Sequence, residues 1–232
     1  MIETRQLLKA RLRGIDQLIR AWMGSPPISE LIYANVFASA AASLGIPLPP
    51  LYPIGAAANY SLLYLLLRST NETPVTRVLE AGVGQTTRLL NAIAAHKNVD
   101  VISVESDEAW AARVRAIVSH PVLHCPLVKR VVHGFNVPCF DTPDLSGPFD
   151  MMLIDGPVGS RRRSRWGALE ILDKYLSEEY LVIFDDASRG GELDTIQEFV
   201  RSRTRRPSTR FVHGSKSQCL VFTERFRDAM TF

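Results

Sequence analysis

Between Val75 and Phe184 the chain alternates short runs of apolar and β-branched residues with longer stretches in which apolar positions recur every three or four residues. The short runs are Val75 to Leu79, Val99 to Val104, Leu127 to Val132, Phe149 to Ile154 and Tyr180 to Phe184. Each has the length of a strand, and near-continuous apolar character is what a strand covered on both faces requires. Thr87 to Ala95, Glu108 to Val118, Trp166 to Tyr175 and Glu192 to Arg201 carry the helical spacing. Strands alternating with helices in this order predict parallel βαβ units, hence an α/β, doubly wound and mostly parallel sheet. Phe211 to Phe222, two apolar runs around Gly214, reads as a closing antiparallel hairpin, which brings the sheet to seven strands.

The first 58 residues follow a different rhythm and are read as an N-terminal helical extension, with the main domain at 59–232. Leu8, Leu12, Ile15, Ile19 and Trp22 form one apolar stripe with Arg11, Arg13 and Arg20 off it, which predicts an amphipathic helix. Packing on the main domain is the first reading of that stripe; pairing of two subunits into a homodimer, or a lid over substrate, are the alternatives. Ser25-Pro26-Pro27 breaks it, and Ile28 to Leu44 supplies a second, buried or half-buried helix. Pro47 to Pro53 forms a proline-rich connector, after which Asn59 or Ser61 stands where a helix through Leu62 to Leu67 would be capped.

With 46% of its 232 residues apolar, the chain can bury a substantial core. A net charge of +3, from 27 basic and 24 acidic residues, does not announce nucleic acid or an anionic membrane as partner. The longest apolar stretch, Leu31 to Leu44, falls short of a membrane span, and no apolar segment follows the first charges as a secretory signal would need. Cys125, Cys139 and Cys219 are odd in number and widely spaced, which argues against disulfides and zinc and predicts a reducing, cytoplasmic setting.

The first strand runs into Glu80-Ala81-Gly82-Val83-Gly84-Gln85-Thr86-Thr87 and then into a helix. Two glycines there permit a tight turn and close approach of a ligand to backbone, and the helix N-terminus offers free N–H groups to an anion. Thr87 stands where a dinucleotide fingerprint has its third glycine, which counts against a nicotinamide cofactor. Glu105, at the end of the second strand, follows Gly82 by 23 residues, the separation at which doubly wound folds bring an acid to a ribose diol. Glu80, Gly82, Gly84 and Glu105 together resemble the first two motifs of class I S-adenosylmethionine-dependent methyltransferases, whose domain is Rossmann-like. The resemblance implies cofactor contacts at Glu80, Gly82, Gly84, Gln85, Thr86, Glu105, Ser106 and Asp155. It also implies that Tyr60 and Ser61 close over the cofactor, and that Asn136, following the third strand, lies against adenine.

Asp155 ends the fourth strand, and Asp185 and Asp186 end the fifth, so a parallel sheet delivers all three carboxylates to the edge where ligands of open α/β sheets collect. The pattern resembles the metal-dependent O-methyltransferases of the catechol and caffeoyl-coenzyme-A type. That resemblance implies Asp155, Asp185 and Asp186 as ligands of a divalent ion such as Mg2+, with Asp155 and Asp185 catalytic and a hydroxyl oxygen as acceptor. Where those enzymes carry a lysine three residues after the first acid, this chain has Val158.

Arg161, Arg163 and Arg165, in a loop with four arginines in five residues, suit a small anionic acceptor through guanidinium contacts, or else form a solvated loop. Arg201 to Arg210 is read as structural, since cations favour a helix C-terminus. The rival functions are a nicotinamide-dependent oxidoreductase and a non-catalytic cofactor-binding module.

Overall fold

The computed structural model describes residues 27–55 and 57–232. The stripe from Leu8 to Trp22, and any pairing role for it, lies outside the described residues. The strands in chain order are β1 (Arg77–Ala81), β2 (Asp100–Glu105), β3 (Val122–His124), β4 (Leu127–Val132), β5 (Phe135–Phe140), β6 (Phe149–Ile154), β7 (Leu176–Phe184), β8 (Ser208–His213) and β9 (Ser217–Phe222). The helices are α1 (Pro27–Ser43), α2 (Tyr60–Glu72), α3 (Gln85–His96), α4 (Glu108–Arg115), α5 (Ala168–Tyr175) and α6 (Gly190–Ser202), followed by a 3-10 helix at Glu224–Thr231. None of the described helices is long and apolar enough to cross a membrane.

Seven strands form one sheet in the order β3-β2-β1-β6-β7-β9-β8. β3, β2, β1, β6 and β7 run parallel, while β9 pairs antiparallel with β7 and with β8. The expected doubly wound sheet and closing hairpin are both present. Along β6 and the end of β7 every residue is buried, and alternate residues face opposite ways. Met151, Leu153, Leu181 and Ile183 join α2 and α3 in one core. Met152, Ile154, Val182 and Phe184 join α5 and α6 in the other. α2 is apolar around much of its circumference because it is packed between the sheet, α1 and α3. Its Leu62, Leu63, Leu65, Leu66 and Leu67 are buried, each stabilising the fold by about 1.5–3 kcal/mol over an exposed position.

Leu127 to Val132 is not the third strand of the sheet; it pairs antiparallel with β5 in a separate hairpin, and the sheet position belongs to the three-residue β3. Lys129 and Arg130 interrupt its apolar run, and Val131 is 76% exposed, as a strand uncovered on one face allows. α1 is half-buried: Phe37 and Ala41 enter the core while Leu31, Ile32 and Val36 are exposed. The three cysteines are free and buried, and burial pushes the thiols of Cys125 and Cys139 up to about 11 and that of Cys219 to about 12.

Register sets the site. Ala81 pairs with Val104 on one side and Ile154 on the other, and Ile154 pairs with Phe184. The next residues in each strand, Gly82, Glu105, Asp155 and Asp185, therefore leave the sheet level with one another. They do so at the point where the chain switches from winding toward β3 to winding toward β7, the crevice position of open α/β sheets.

Candidate active site

The glycine turn is built by approach to its neighbouring strand. Gly82 has φ +92°, and a Cβ there would stand 2.9 Å from the Gly156 nitrogen and 3.0 Å from the Asp155 carbonyl carbon. Gly84, by contrast, faces open space. Its N–H donates to Thr87 Oγ1 at 2.8 Å, which starts α3. Glu105 closes the turn from the side: its carboxylate accepts from the N–H groups of Val83 (3.1 Å), Ser106 (2.6 Å) and Asp107 (2.9 Å). Trp110, on the first turn of α4, donates its indole N–H to the Val83 carbonyl at 2.8 Å and holds the loop from the other direction. That anchoring role has no signature in sequence beyond an aromatic three residues after the Asp107 cap.

Glu80 does not face the crevice. It is fully buried, accepting from the hydroxyls of Thr86 and of Ser103 (2.6 Å), and Ser103 in turn meets His120 Nε2 at 3.0 Å. Burial pushes the Glu80 carboxyl up to about 7 and the His120 imidazole down to about 4, against the hydroxyl bonds that favour ionised Glu80. Thr86 is thus committed to Glu80, and Gln85 accepts the Tyr52 N–H at 3.1 Å, tying the proline-rich connector to the glycine turn. Ser106 touches Glu105 and, through its carbonyl, His124.

Ser61 is also turned inward. Its hydroxyl donates to Gln218 Oε1 at 2.7 Å, and the Gln218 amide donates to Asn59 (3.0 Å) and to Asp185 Oδ1 (2.8 Å). The Tyr60 N–H is taken by Glu30 of α1, which also accepts from Asn59 and from the Ser215 N–H. Gln218 was not singled out from sequence; its signal is a polar side chain in a strand whose six residues are all buried.

At the far side of the crevice Asp155, Asp185 and Asp186 each bring an oxygen within 4.8 Å of the others. Number and spacing are those a hard cation needs; the hydrogen bonds are not. Arg165, only 7% exposed, donates from Nη2 to Asp155 Oδ1 at 2.8 Å and to Asp186 Oδ2 at 3.0 Å, and from Nη1 to the Asp185 carbonyl at 3.0 Å. Arg189 meets the same Asp186 oxygen at 2.7 Å. Glu192, 2% exposed, stands 3.8 Å from Arg165 Nε and accepts from Ser164. Asp185 Oδ2 is buried with no hydrogen-bond partner among the described residues. Burial and the neighbouring Asp185 charge push the Asp155 carboxyl up to about 7 despite Arg165; burial, then Asp186, raises Asp185.

The basic loop divides by position. Arg165 turns inward, Arg162 pairs with Asp194 of α6, and the Arg163 guanidinium stacks 3.5 Å over the Phe135 ring, while Arg161 is exposed. Asn136, expected after the third strand, instead lies in β5 of the hairpin. With Phe135, Pro157, Val158, Arg163, Arg165 and Trp166 it lines a cavity of about 220 Å³.

No protein-family model and no curated protein matches the sequence. Solved structures do match. An SAH-bound methyltransferase from Podospora anserina shares the fold with a TM-score of 0.51 at 10% identity, over 91% of this chain and 96% of that one. An O-methyltransferase from Bacillus cereus in complex with SAH matches with a TM-score of 0.47 at 16% identity, over 90% and 97% of the two chains. A methyltransferase from Geobacter sulfurreducens matches with 0.47 at 16%, over 82% and 87%. The chain has the Rossmann-like fold of the class I S-adenosylmethionine-dependent methyltransferases.

Proposed function

We propose that this chain is an S-adenosylmethionine-dependent methyltransferase that methylates a hydroxyl oxygen of a small anionic molecule. The observation that carries the reading is the register of the sheet, which brings the Gly82–Gly84 turn, Glu105, Asp155 and Asp185 level at one switch point. The residues fit the cofactor. The open face of Gly84 and the N-terminus of the twelve-residue α3 suit its amino-acid end, and Glu105 offers carboxylate lone pairs to a ribose diol. Bound there, S-adenosylmethionine supplies a methyl group on a positively charged sulfur.

The chain's own part is to orient the acceptor and take its proton. Asp155 is the group for that proton, since a carboxyl pushed up to about 7 is poised between its two forms near neutrality. Asp185, held by Gln218, stands beside it and, after burial, contributes most to raising its pKa. The acceptor enters the cavity beside Arg165, with Phe135 and Trp166 against its body and Arg163 on its anionic group. Two of the three carboxylates implied as Mg2+ ligands are bonded to Arg165 instead.

Thr87, buried and bonded to Gly84, stands where a dinucleotide fingerprint has the glycine that lets helix and strand pack closely. Calorimetry with S-adenosylmethionine, S-adenosylhomocysteine and NAD tests the cofactor, and labelled-methyl transfer to a panel of anionic hydroxyl compounds tests the reaction. Tighter binding of NAD would overturn the reading. Cofactor binding with no transfer to any acceptor would favour a binding module.

A further inference from the structure

Four carboxylates, those of Asp155, Asp185, Asp186 and Glu192, gather behind the acceptor cavity, and the last three are buried. Charges this hidden need compensation inside the protein or from a bound ion. Among the described residues the one buried cation paired with them is Arg165; Arg189, more than half exposed, reaches Asp186 from outside. The planar fork of Arg165 spans both sides of the crevice edge: Nη2 reaches Asp155 after β6 and Asp186 after β7, while Nη1 reaches the Asp185 carbonyl. An ammonium group lacks that fixed planar reach. The backbone holds it in place: Arg165 and Asp186 both have φ +57°, and the Arg165 carbonyl accepts the N–H of Ala168 at the start of α5. A guanidinium nitrogen this close to two carboxylates repels a divalent ion from the same oxygens.

We propose that Arg165 is the resident cation of this site: clamped between Asp155 and Asp186, it fixes Asp155 at the crevice edge and occupies the place of a divalent ion. Its positioning role rests on the methyltransferase reading above; its displacement of a metal stands on the contacts alone. Arg165 is a positioning residue, acting through Asp155, and methyl transfer proceeds without a metal.

The test is titration of the full chain with Mn2+, followed by electron paramagnetic resonance. The wild type is expected to show no site tighter than about 1 mM, the weak end of oxygen-ligand affinities. Arg165→Ser is expected to bind Mn2+ at least about tenfold more tightly, and Asp185→Asn in that background to abolish the gain. A wild-type site tighter than about 1 mM that Asp185→Asn removes would overturn the proposal, as would Arg165→Ser gaining no site. If Arg165→Ser does not fold, the wild-type titration still decides, together with Arg165→Lys, which is expected to lower kcat at least about tenfold with S-adenosylhomocysteine affinity unchanged. Transfer by the wild type that a chelator abolishes would also overturn it. Failure of the wild type to bind S-adenosylhomocysteine would instead sink the methyltransferase reading and leave the Mn2+ result standing.

Discussion

Gly82 and Gly156 pack so closely that a Cβ on Gly82 would stand 2.9 Å from the Gly156 nitrogen, and a Cβ on Gly156 would stand 3.1 Å from the Gly82 nitrogen. Each strand end thus fixes the other. Any atom added at Gly82 meets backbone before it meets a ligand. Gly82→Ala is therefore expected to lose about 1–3 kcal/mol of stability, from the positive φ and the overlap together. Urea unfolding measures it, and an unchanged midpoint would show that the two turns can move apart.

Glu105→Ala removes the acceptor for three backbone N–H groups as well as the proposed ribose contact. Affinity for S-adenosylhomocysteine should fall by about 1.5–3 kcal/mol, the range for hydrogen bonds to a charged group. Calorimetry on the folded variant reads this directly. Equal affinity would remove Glu105 from the cofactor site.

Arg163 lays its guanidinium over Phe135 at the mouth of the cavity, and among the described residues only its backbone N–H, not the guanidinium, bonds a carboxylate, that of Asp194. Arg163→Ala is expected to raise the acceptor KM about tenfold with kcat and cofactor affinity nearly unchanged, since it removes binding common to ground and transition states. A fall in kcat at constant KM would place Arg163 nearer the chemistry.

His133 sits between Asp173 of α5 and Glu198 of α6, at 2.8 and 2.7 Å. Burial pulls its pKa down, but the two hydrogen bonds and their charges outweigh burial and raise it. A raised folded-state pKa contributes stability that is complete below the unfolded value of about 6.5 and is lost as pH rises through the folded one. Stability should therefore decline with pH above about 6.5, and His133→Asn, which tolerates the φ of +44° there, should flatten that decline. Thermal melts across this pH range test it; an unchanged slope would mean the pairs are solvent-screened.

Period and order made the fold legible. The runs at Phe149 to Ile154 and Tyr180 to Phe184 are apolar at nearly every position, a pattern that sandwiched parallel strands impose. The hairpin at Leu127 was not legible as such, because a strand open on one face and a short edge strand look alike when basic residues interrupt the run. The edge carboxylates could be located because strand ends fix them, but their partners could not. Arg165 reads as one more loop arginine, and only the fold shows it turning inward while Arg162 turns out to Asp194. Glu80 and Ser61 illustrate the same boundary: a motif gives the residue, whereas the direction of its side chain follows from what packs behind it, Ser103 in one case and Gln218 in the other.

The three buried thiols lie in three different parts of the architecture: Cys125 just after β3, Cys139 in the separate hairpin and Cys219 in β9. Their raised pKa values leave almost no thiolate at neutral pH, so each becomes reactive only when its own surroundings open. Nature has in effect placed a silent chemical clock in the sheet edge, the hairpin and the antiparallel strand. Pulse alkylation read by mass spectrometry, site by site, would time the opening of each and show whether the hairpin over the acceptor cavity breathes independently of the sheet beneath it.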